Sequence, residues 1–183
     1  MFRRLSITTA LTAILAGASS ATPVLTFGTG VISVANISET APSSISSATD
    51  TLFAQIPGAL RTYVVTTPND LFTVTFTAET QCRDTAGAAT GWCAVRIVAS
   101  QGSTILVFHP NAATNGVNIR DFSFDSNPTG ITNADEWESH SVTQSARLQA
   151  GTWTIRVQRA IEVTAGSTSF RLDDWNLNIV VTD

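Results

Sequence analysis

Residues 71–79 read LFTVTFTAE, and this stretch decides the class of fold. Apolar residues occupy every second position and alternate with Thr and Glu: Phe72, Val74, Phe76 and Ala78. Successive side chains of a β-strand point to opposite faces, so a period of two predicts one buried face and one wet face. The threonines of the wet face are β-branched and suit a strand.

The same alternation returns after Cys93, in residues 153–163 and in residues 169–182, with turn signals between the runs. Beyond the N-terminal leader, no segment has the 3.6-residue period of a helix. About eight strands at this spacing predict an all-β fold, a two-sheet antiparallel sandwich of jelly-roll type. An immunoglobulin-like sandwich is the alternative, but the cysteine spacing does not suit its intersheet bridge.

Two short stretches predict finer features of the strands. The parity of the apolar residues changes between Leu172 and Trp175, which predicts a β-bulge at Asp173–Asp174. Residues 121–125 read DFSFD, and their alternation predicts that the two phenylalanines point inward while both aspartates face water.

The chain is poor in charge and weakly acidic. Charged residues make up 13% of it, the net charge is −4, and all ten basic residues are arginine. Without the leader, 8 arginines stand against 14 acidic residues. A chain with no basic run lacks the electrostatic footprint of a protein that binds nucleic acid or an anionic membrane.

Residues 1–21 have the pattern of a secretory signal peptide. Arg3 and Arg4 precede the mostly apolar stretch 5–16, and small residues follow it. The apolar stretch is too short to span a bilayer as a helix, and no second segment reaches that length. The sequence therefore predicts a secreted, extracellular protein without membrane insertion.

Two parts follow the leader. Residues 22–57 hold a weak first strand and then a loop or tether rich in Ser, Thr and Ala, and residues 58–183 are predicted to form the β-sandwich domain. The sequence leaves open whether residues 22–57 pack on that domain.

The two cysteines, Cys82 and Cys93, predict one disulfide in an exported protein. Strand-like runs flank the segment between them, so we expect the bridge to close a hairpin. Two cysteines with distant histidines do not match a zinc site.

Residues 148–157 (LQAGTWTIRV) and 170–177 (FRLDDWNL) resemble the closing strands of jelly-roll carbohydrate-binding modules. The resemblance covers only this C-terminal part, and Trp175 stands where those modules more often carry a small aliphatic residue. It implies carbohydrate binding and a structural calcium held by Asp173 or Asp174, the one cofactor that we expect.

The residues themselves leave three interpretations of Asp173 and Asp174 open. An unpaired carboxylate is costly to bury. The pair therefore forms an ion pair with Arg159, binds calcium, or faces water at the bulge.

Sugar binding needs exposed aromatic rings, which stack on the apolar faces of sugars, and polar groups that hydrogen-bond the hydroxyls. Trp153 and Trp175 share the parity of the core and are predicted to be buried. Trp92, Trp137 and Tyr63 are therefore the predicted ligand-binding residues, and partial burial at a sandwich edge is the alternative for each.

No catalytic residue is predicted, because the sequence contains neither a GxSxG nor an HExxH motif. Glu138 and His140 share a strand face. With Asp135 and Glu136 they form either a metal site or, as we prefer, a solvated polar stretch.

These observations favour a secreted, non-catalytic binding module for an extracellular glycan or surface protein. The alternative is a secreted structural or interaction protein that self-assembles or binds a protein partner, and a small hydrolase comes third. The threonine row at residues 73, 75 and 77 also fits an ice-binding array, although Thr is an ordinary choice for a wet strand face.

Overall fold

The computed structural model describes residues 31–40, 43–47, 52–84, 91–108, 118–127, 137–163 and 168–183. Within these ranges the chain is almost entirely β-strand, with one turn of 3-10 helix at Ile119–Phe122. The same ranges contain no helix long and apolar enough to cross a membrane. The predicted signal peptide (residues 1–21), Asp135 and Glu136 lie outside the described residues.

The described strands divide equally between two antiparallel sheets. Sheet A contains β1 (Val31–Glu39), β2 (Ser43–Ser47), β4 (Asp70–Asp84), β8 (Glu138–Leu148) and β10 (Thr168–Thr182). Sheet B contains β3 (Ala54–Val65), β5 (Gly91–Gln101), β6 (Thr104–Phe108), β7 (Ser123–Asn127) and β9 (Gly151–Val163). The predicted all-β, two-sheet antiparallel sandwich is confirmed.

The order of strands in each sheet shows how the chain passes between the two sheets. In sheet A the order is β1, β10, β4, β8, and β2 also pairs with β10. In sheet B the order is β3, β9, β5, β6, and β7 also pairs with β5. From β3 to β5, and again from β8 to β10, successive strands alternate between the sheets, as in a jelly roll.

The core lies between the sheets and is built from the inward residues of every long strand. The alternating apolar residues of β4 are at most 2% exposed: Phe72, Val74, Phe76 and Ala78. Trp153 and Trp175 are 5% and 3% exposed, which confirms their predicted burial. The indole of Trp153 donates a hydrogen bond to the carbonyl of Gln149 at 2.8 Å, so its one polar group is satisfied.

The disulfide between Cys82 and Cys93 is confirmed, with the two Cα atoms 5.8 Å apart. It does not close a hairpin, and that expectation is wrong. Cys82 lies on β4 of sheet A and Cys93 on β5 of sheet B, so the bond ties the two sheets across the core. Alternation specifies which side of a strand is buried, but not which strand lies beside it.

The described part of residues 22–57 packs on the sandwich. β1 pairs with the second half of β10, and β2 pairs with its first half. The register of β10 against β4 shifts between Asp173 and Asn176, which confirms the predicted bulge. The bulge lies where the neighbour of β10 changes from β1 to β2, so the irregularity interrupts little pairing on that side.

Candidate functional site

The outer face of sheet A carries two rows of small uncharged side chains. The first row crosses the four strands through Asn36, Asn178, Thr75 and Thr143. The second row runs parallel to it through Ser38, Asn176, Thr77 and Ser141. We call these eight residues the polar face.

Hydrogen bonds connect side chains across the strands of the polar face. The hydroxyl oxygens of Thr75 and Thr143 are 2.9 Å apart. The amides of Asn36 and Asn176 exchange two hydrogen bonds, of 3.2 and 2.9 Å. Such cross-strand pairs restrict the side-chain rotamers, and the polar face is therefore an ordered array of donors and acceptors.

Trp137 lies at one end of the same outer face, just before β8 begins. Its side chain is 38% exposed. The guanidinium carbon of Arg171 lies 5.0 Å from the ring centroid, within the range of a cation–π contact. Arg171 also donates a hydrogen bond of 3.0 Å to the side-chain oxygen of Gln81. An aromatic ring, a guanidinium and an amide therefore converge at this end of sheet A.

Trp92 lies on the outer face of the other sheet and is half-buried. The guanidinium carbon of Arg120 lies 4.1 Å from its ring centroid. Arg120 is held there by an ion pair with Glu162, the residue paired with Trp92 across β5 and β9. The fold thus separates Trp92 from Trp137 and covers the ring of Trp92 with a cation.

Tyr63 packs toward the core from the edge strand β3. Its ring contacts Phe72 edge-on, with 5.3 Å between the centroids. Burial raises the pKa of the Tyr63 phenol to about 12, against a smaller opposing effect of Arg61. The phenol oxygen is buried without a hydrogen-bond partner in the described part of the chain. Tyr63 therefore presents little ring surface to a ligand.

Asp173 and Asp174 occupy the bulge of β10. Asp174 is exposed and has a φ of 42°, a left-handed conformation that aspartate tolerates better than most residues. Its backbone N–H donates to the Asp173 carboxylate at 3.0 Å. In the described ranges no third His, Cys, Asp or Glu joins the pair at ligating distance. The calcium site stays a prediction.

Arg159 forms no ion pair with either aspartate within the described residues. Its side chain is 5% exposed, and it donates a hydrogen bond of 3.0 Å to the hydroxyl of Ser43. Burial lowers the pKa of this guanidinium. Of the three interpretations of the aspartate pair, the pairing with Arg159 therefore has no support in the contacts.

A second group of polar side chains lies between the sheets, where β7 faces β8. The His140 Nε2 atom is 3.2 Å from a Glu138 oxygen and 3.8 Å from the Asp125 Oδ1 atom. The ligand atoms of the three residues all lie within 4.8 Å of one another. The hydroxyl of Thr80 donates to the other oxygen of Asp125 at 2.8 Å. We call Asp125, Glu138 and His140 the edge cluster.

The sequence analysis missed Asp125, which it placed in water. The register of β7 against β5 shifts, so that Cys93 pairs with Asp125 while Ala94 pairs with Ser123. Phe124 is the extra residue of this bulge, and Asp125 consequently points inward beside the disulfide. As a result of the bulge, two consecutive residues are buried: Phe124 and Asp125 are each 9% exposed.

No family model matches the chain, and no curated protein matches it.

Proposed function

We propose that this protein is a secreted, non-catalytic binding module whose ligand is a neutral polysaccharide of a cell surface or matrix. The observation that carries the proposal is the outer face of sheet A. Its two uncharged rows share this outer face with Trp137, the tryptophan that keeps 38% of its surface exposed, and the row of Asp173, Glu79 and Ser139 lies between these rows and Trp137. The polysaccharide lies along the polar face and stacks one sugar ring on Trp137.

Polar and aromatic groups at this end of the face suit a sugar. A sugar ring has an apolar face that stacks on an indole and equatorial hydroxyls that donate and accept hydrogen bonds. Arg171 lies beside the Trp137 ring and supplies planar donors, and the buried Gln81 accepts one hydrogen bond from the guanidinium and so holds it in place. Small hydroxyl and amide groups continue across the strands, which suits a chain of sugars better than one ring.

Lack of charge on the polar face is consistent with a neutral ligand. A charged polysaccharide would need complementary charges at its docking surface. The eight residues of the polar face are threonine, serine and asparagine. Charged side chains begin beyond the second row, where Asp173 pairs with Glu79, and Arg171 follows at the end of the sheet, in contact with Trp137 and Gln81.

Extracellular action rests on two observations. Residues 1–21 have the charge and hydrophobic pattern of an export signal. The disulfide between Cys82 and Cys93 suits an oxidising compartment, because such bonds rarely persist in the cytosol.

Binding is tested with the purified secreted protein on a glycan array and by retention on insoluble polysaccharides, with and without calcium. We expect the substitution Trp137→Ala to weaken retention by about 30-fold or more, the effect of losing a central aromatic anchor. Trp92→Ala is the matched control and should change retention by no more than about threefold. Calcium dependence of retention would support the predicted site at Asp173 and Asp174.

The result that would contradict the proposal is equal retention of the wild type and Trp137→Ala on every polysaccharide retained. Loss of retention in Trp92→Ala alone would move the site to sheet B. In either case, circular dichroism must show that the variant is folded.

A different observation favours the alternative function, a self-assembling or partner-binding protein. β3 is a 12-residue strand that pairs, among the described strands, with β9 alone. Its outward Leu60 and Val64 are 38% and 72% exposed. An uncovered strand edge beside apolar side chains can pair with another strand. Light scattering that shows a dimer, and a monomer for Val64→Lys, would support this function.

A further inference from the structure

The edge cluster spans the gap between the two sheets. Asp125 belongs to β7 of sheet B, while Glu138 and His140 belong to β8 of sheet A. Thr80, which holds Asp125, lies on β4 beside β8. A ligand that binds all three residues would link the sheets close to the disulfide, because Asp125 pairs with Cys93.

We propose that Asp125, Glu138 and His140 bind one divalent transition-metal ion, of which Zn²⁺ is the representative. One imidazole nitrogen and two carboxylate oxygens are ligands that Zn²⁺ accepts in proteins. Ca²⁺ prefers a shell of oxygen atoms alone, so a site that includes His140 selects against it. The two carboxylates also balance the charge of a divalent ion.

Spacing of the ligand atoms fits one ion. Ligands about 2.0–2.2 Å from a tetrahedral zinc stand about 3.3–3.6 Å apart. The separations of 3.2 and 3.8 Å from His140 Nε2 to the two carboxylates lie on either side of that range. The ligand atoms all lie within 4.8 Å of one another, and small rotations of the His140 ring and of the Glu138 side chain, which is 60% exposed, would bring them to these separations.

Asp125 is held in place within the edge cluster, and the ring nitrogen of His140 faces it. The Asp125 side chain is only 8% exposed, and the hydrogen bond from Thr80 to one oxygen turns the other toward His140. His140 Nε2 is itself buried and lacks a hydrogen-bond partner in the described residues. A bound cation would be a common partner for the two carboxylate oxygens and this ring nitrogen.

Glu138 leaves one side of the site open. Because its side chain reaches solvent, an ion can enter from that side, and a water molecule can complete the coordination. Trp137 points to the outer face of sheet A, whereas the edge cluster lies between the sheets. Metal binding is therefore independent of the proposed polysaccharide site.

Calorimetry and absorption test the site on the secreted protein, purified without a histidine tag and treated with a chelator. We expect one Zn²⁺ per chain, retained in millimolar Ca²⁺, and visible absorption bands when Co²⁺ replaces it. The melting temperature should rise with the logarithm of the zinc concentration once that concentration exceeds the Kd.

Variants assign the ligands. Glu138→Gln, an exposed change that should leave the fold intact, and His140→Gln should each weaken zinc binding by about tenfold or more. Thr80→Val should weaken it by about tenfold through the orientation of Asp125. His109→Gln, the change of the only other histidine, is the control and should bind as the wild type does.

No heat of binding at millimolar zinc would overturn the proposal. It would equally be overturned by zinc binding that survives in Glu138→Gln and His140→Gln, or that is lost in His109→Gln. Absence of binding would mean that the three side chains form a polar cluster without a metal.

Discussion

The outer faces of the two sheets carry different kinds of side chain. On sheet A, small hydroxyls and amides pair with one another, and Trp137 keeps more than a third of its surface exposed. On sheet B, guanidinium groups lie over aromatic rings, with Arg120 over Trp92 and Arg96 over Phe53 at 3.9 Å. The tryptophan of sheet A keeps more than a third of its surface exposed, although Arg171 contacts its ring at 5.0 Å, whereas the rings on sheet B lie under closer guanidinium groups.

This difference bears on what an aromatic residue can do at a surface. Trp92 and Trp137 are both outward residues, and the sequence favoured them equally as ligand-binding residues. Trp92 is held by Arg120, which is anchored by Glu162, so its ring contributes to the stability of sheet B. Trp137 is contacted by Arg171 at the longer distance of 5.0 Å and keeps 38% of its surface exposed to a ligand. Exposure of an aromatic ring thus depends on its neighbours across the strands.

The largest expected effect concerns the disulfide between Cys82 and Cys93, which joins the two sheets across the core. Replacing both cysteines in Cys82→Ala/Cys93→Ala should lower the free energy of unfolding by about 3 kcal/mol, the value for releasing a loop of this length. Urea unfolding measures it. An unchanged midpoint would mean that the bridge between the sheets does not stabilise the fold.

A direct test of the comparison removes one tryptophan at a time. Trp92→Ala should destabilise the protein by about 2 kcal/mol, because it loses a half-buried ring and its cation–π contact. Trp137→Ala should cost no more than about 1 kcal/mol, since its ring is more exposed and its contact with Arg171 is longer, at 5.0 Å. Thermal and urea unfolding report both values, and equal losses would remove the distinction between the faces.

Tyr63, on the inner side of sheet B, makes the stability of the fold depend on pH. Its pKa is raised to about 12 in the folded protein, while in the unfolded chain it is near 10. As the pH rises, the Tyr63 phenol therefore loses its proton in the unfolded state before it does so in the folded state. The contribution of Tyr63 to the free energy of unfolding is complete below pH 10 and declines between pH 10 and pH 12. We expect a loss of about 1 kcal/mol between pH 10 and 11, reduced by partial exposure. In the variant Tyr63→Phe, the free energy of unfolding measured at pH 10 and at pH 11 should not show this loss.

The smallest effect on stability is expected on the polar face. Thr75→Val/Thr143→Val removes both partners of one hydrogen bond and keeps their shape, which is close to neutral, within about 0.5 kcal/mol. Polysaccharide retention should nevertheless fall. A loss of more than about 1 kcal/mol would show that the polar face serves the fold, as the outer face of sheet B does.

Much of the fold could be predicted because the inward face of each strand is a local property. The period of two predicted the burial of Phe72 to Ala78, and the parity change predicted the bulge at Asp173–Asp174. The disulfide pair followed from the two cysteines in a chain that was predicted to be exported. The ligand-binding roles of Trp92, Trp137 and Tyr63 remain predictions, and so does calcium at the bulge.

The candidate sites were harder to predict because they depend on strand partners. Glu138 and His140 stood out as neighbours on one strand. Asp125 could not be added to them, since an unpredicted bulge turns it inward and the jelly-roll winding brings β7 beside β8. A bulge in DFSFD leaves the alternation of the letters intact, so no signal in the sequence indicated it.

The amino-acid sequence by itself determined the strand content, the core residues and the disulfide, because each follows from periodicity or composition along the chain. Only the tertiary structure decided that the disulfide joins the sheets, that Arg120 covers Trp92, and that Asp125 meets His140. These contacts join residues from separate strands. Their identity depends on sheet order and register, and the alternation of apolar residues leaves the order of strands open.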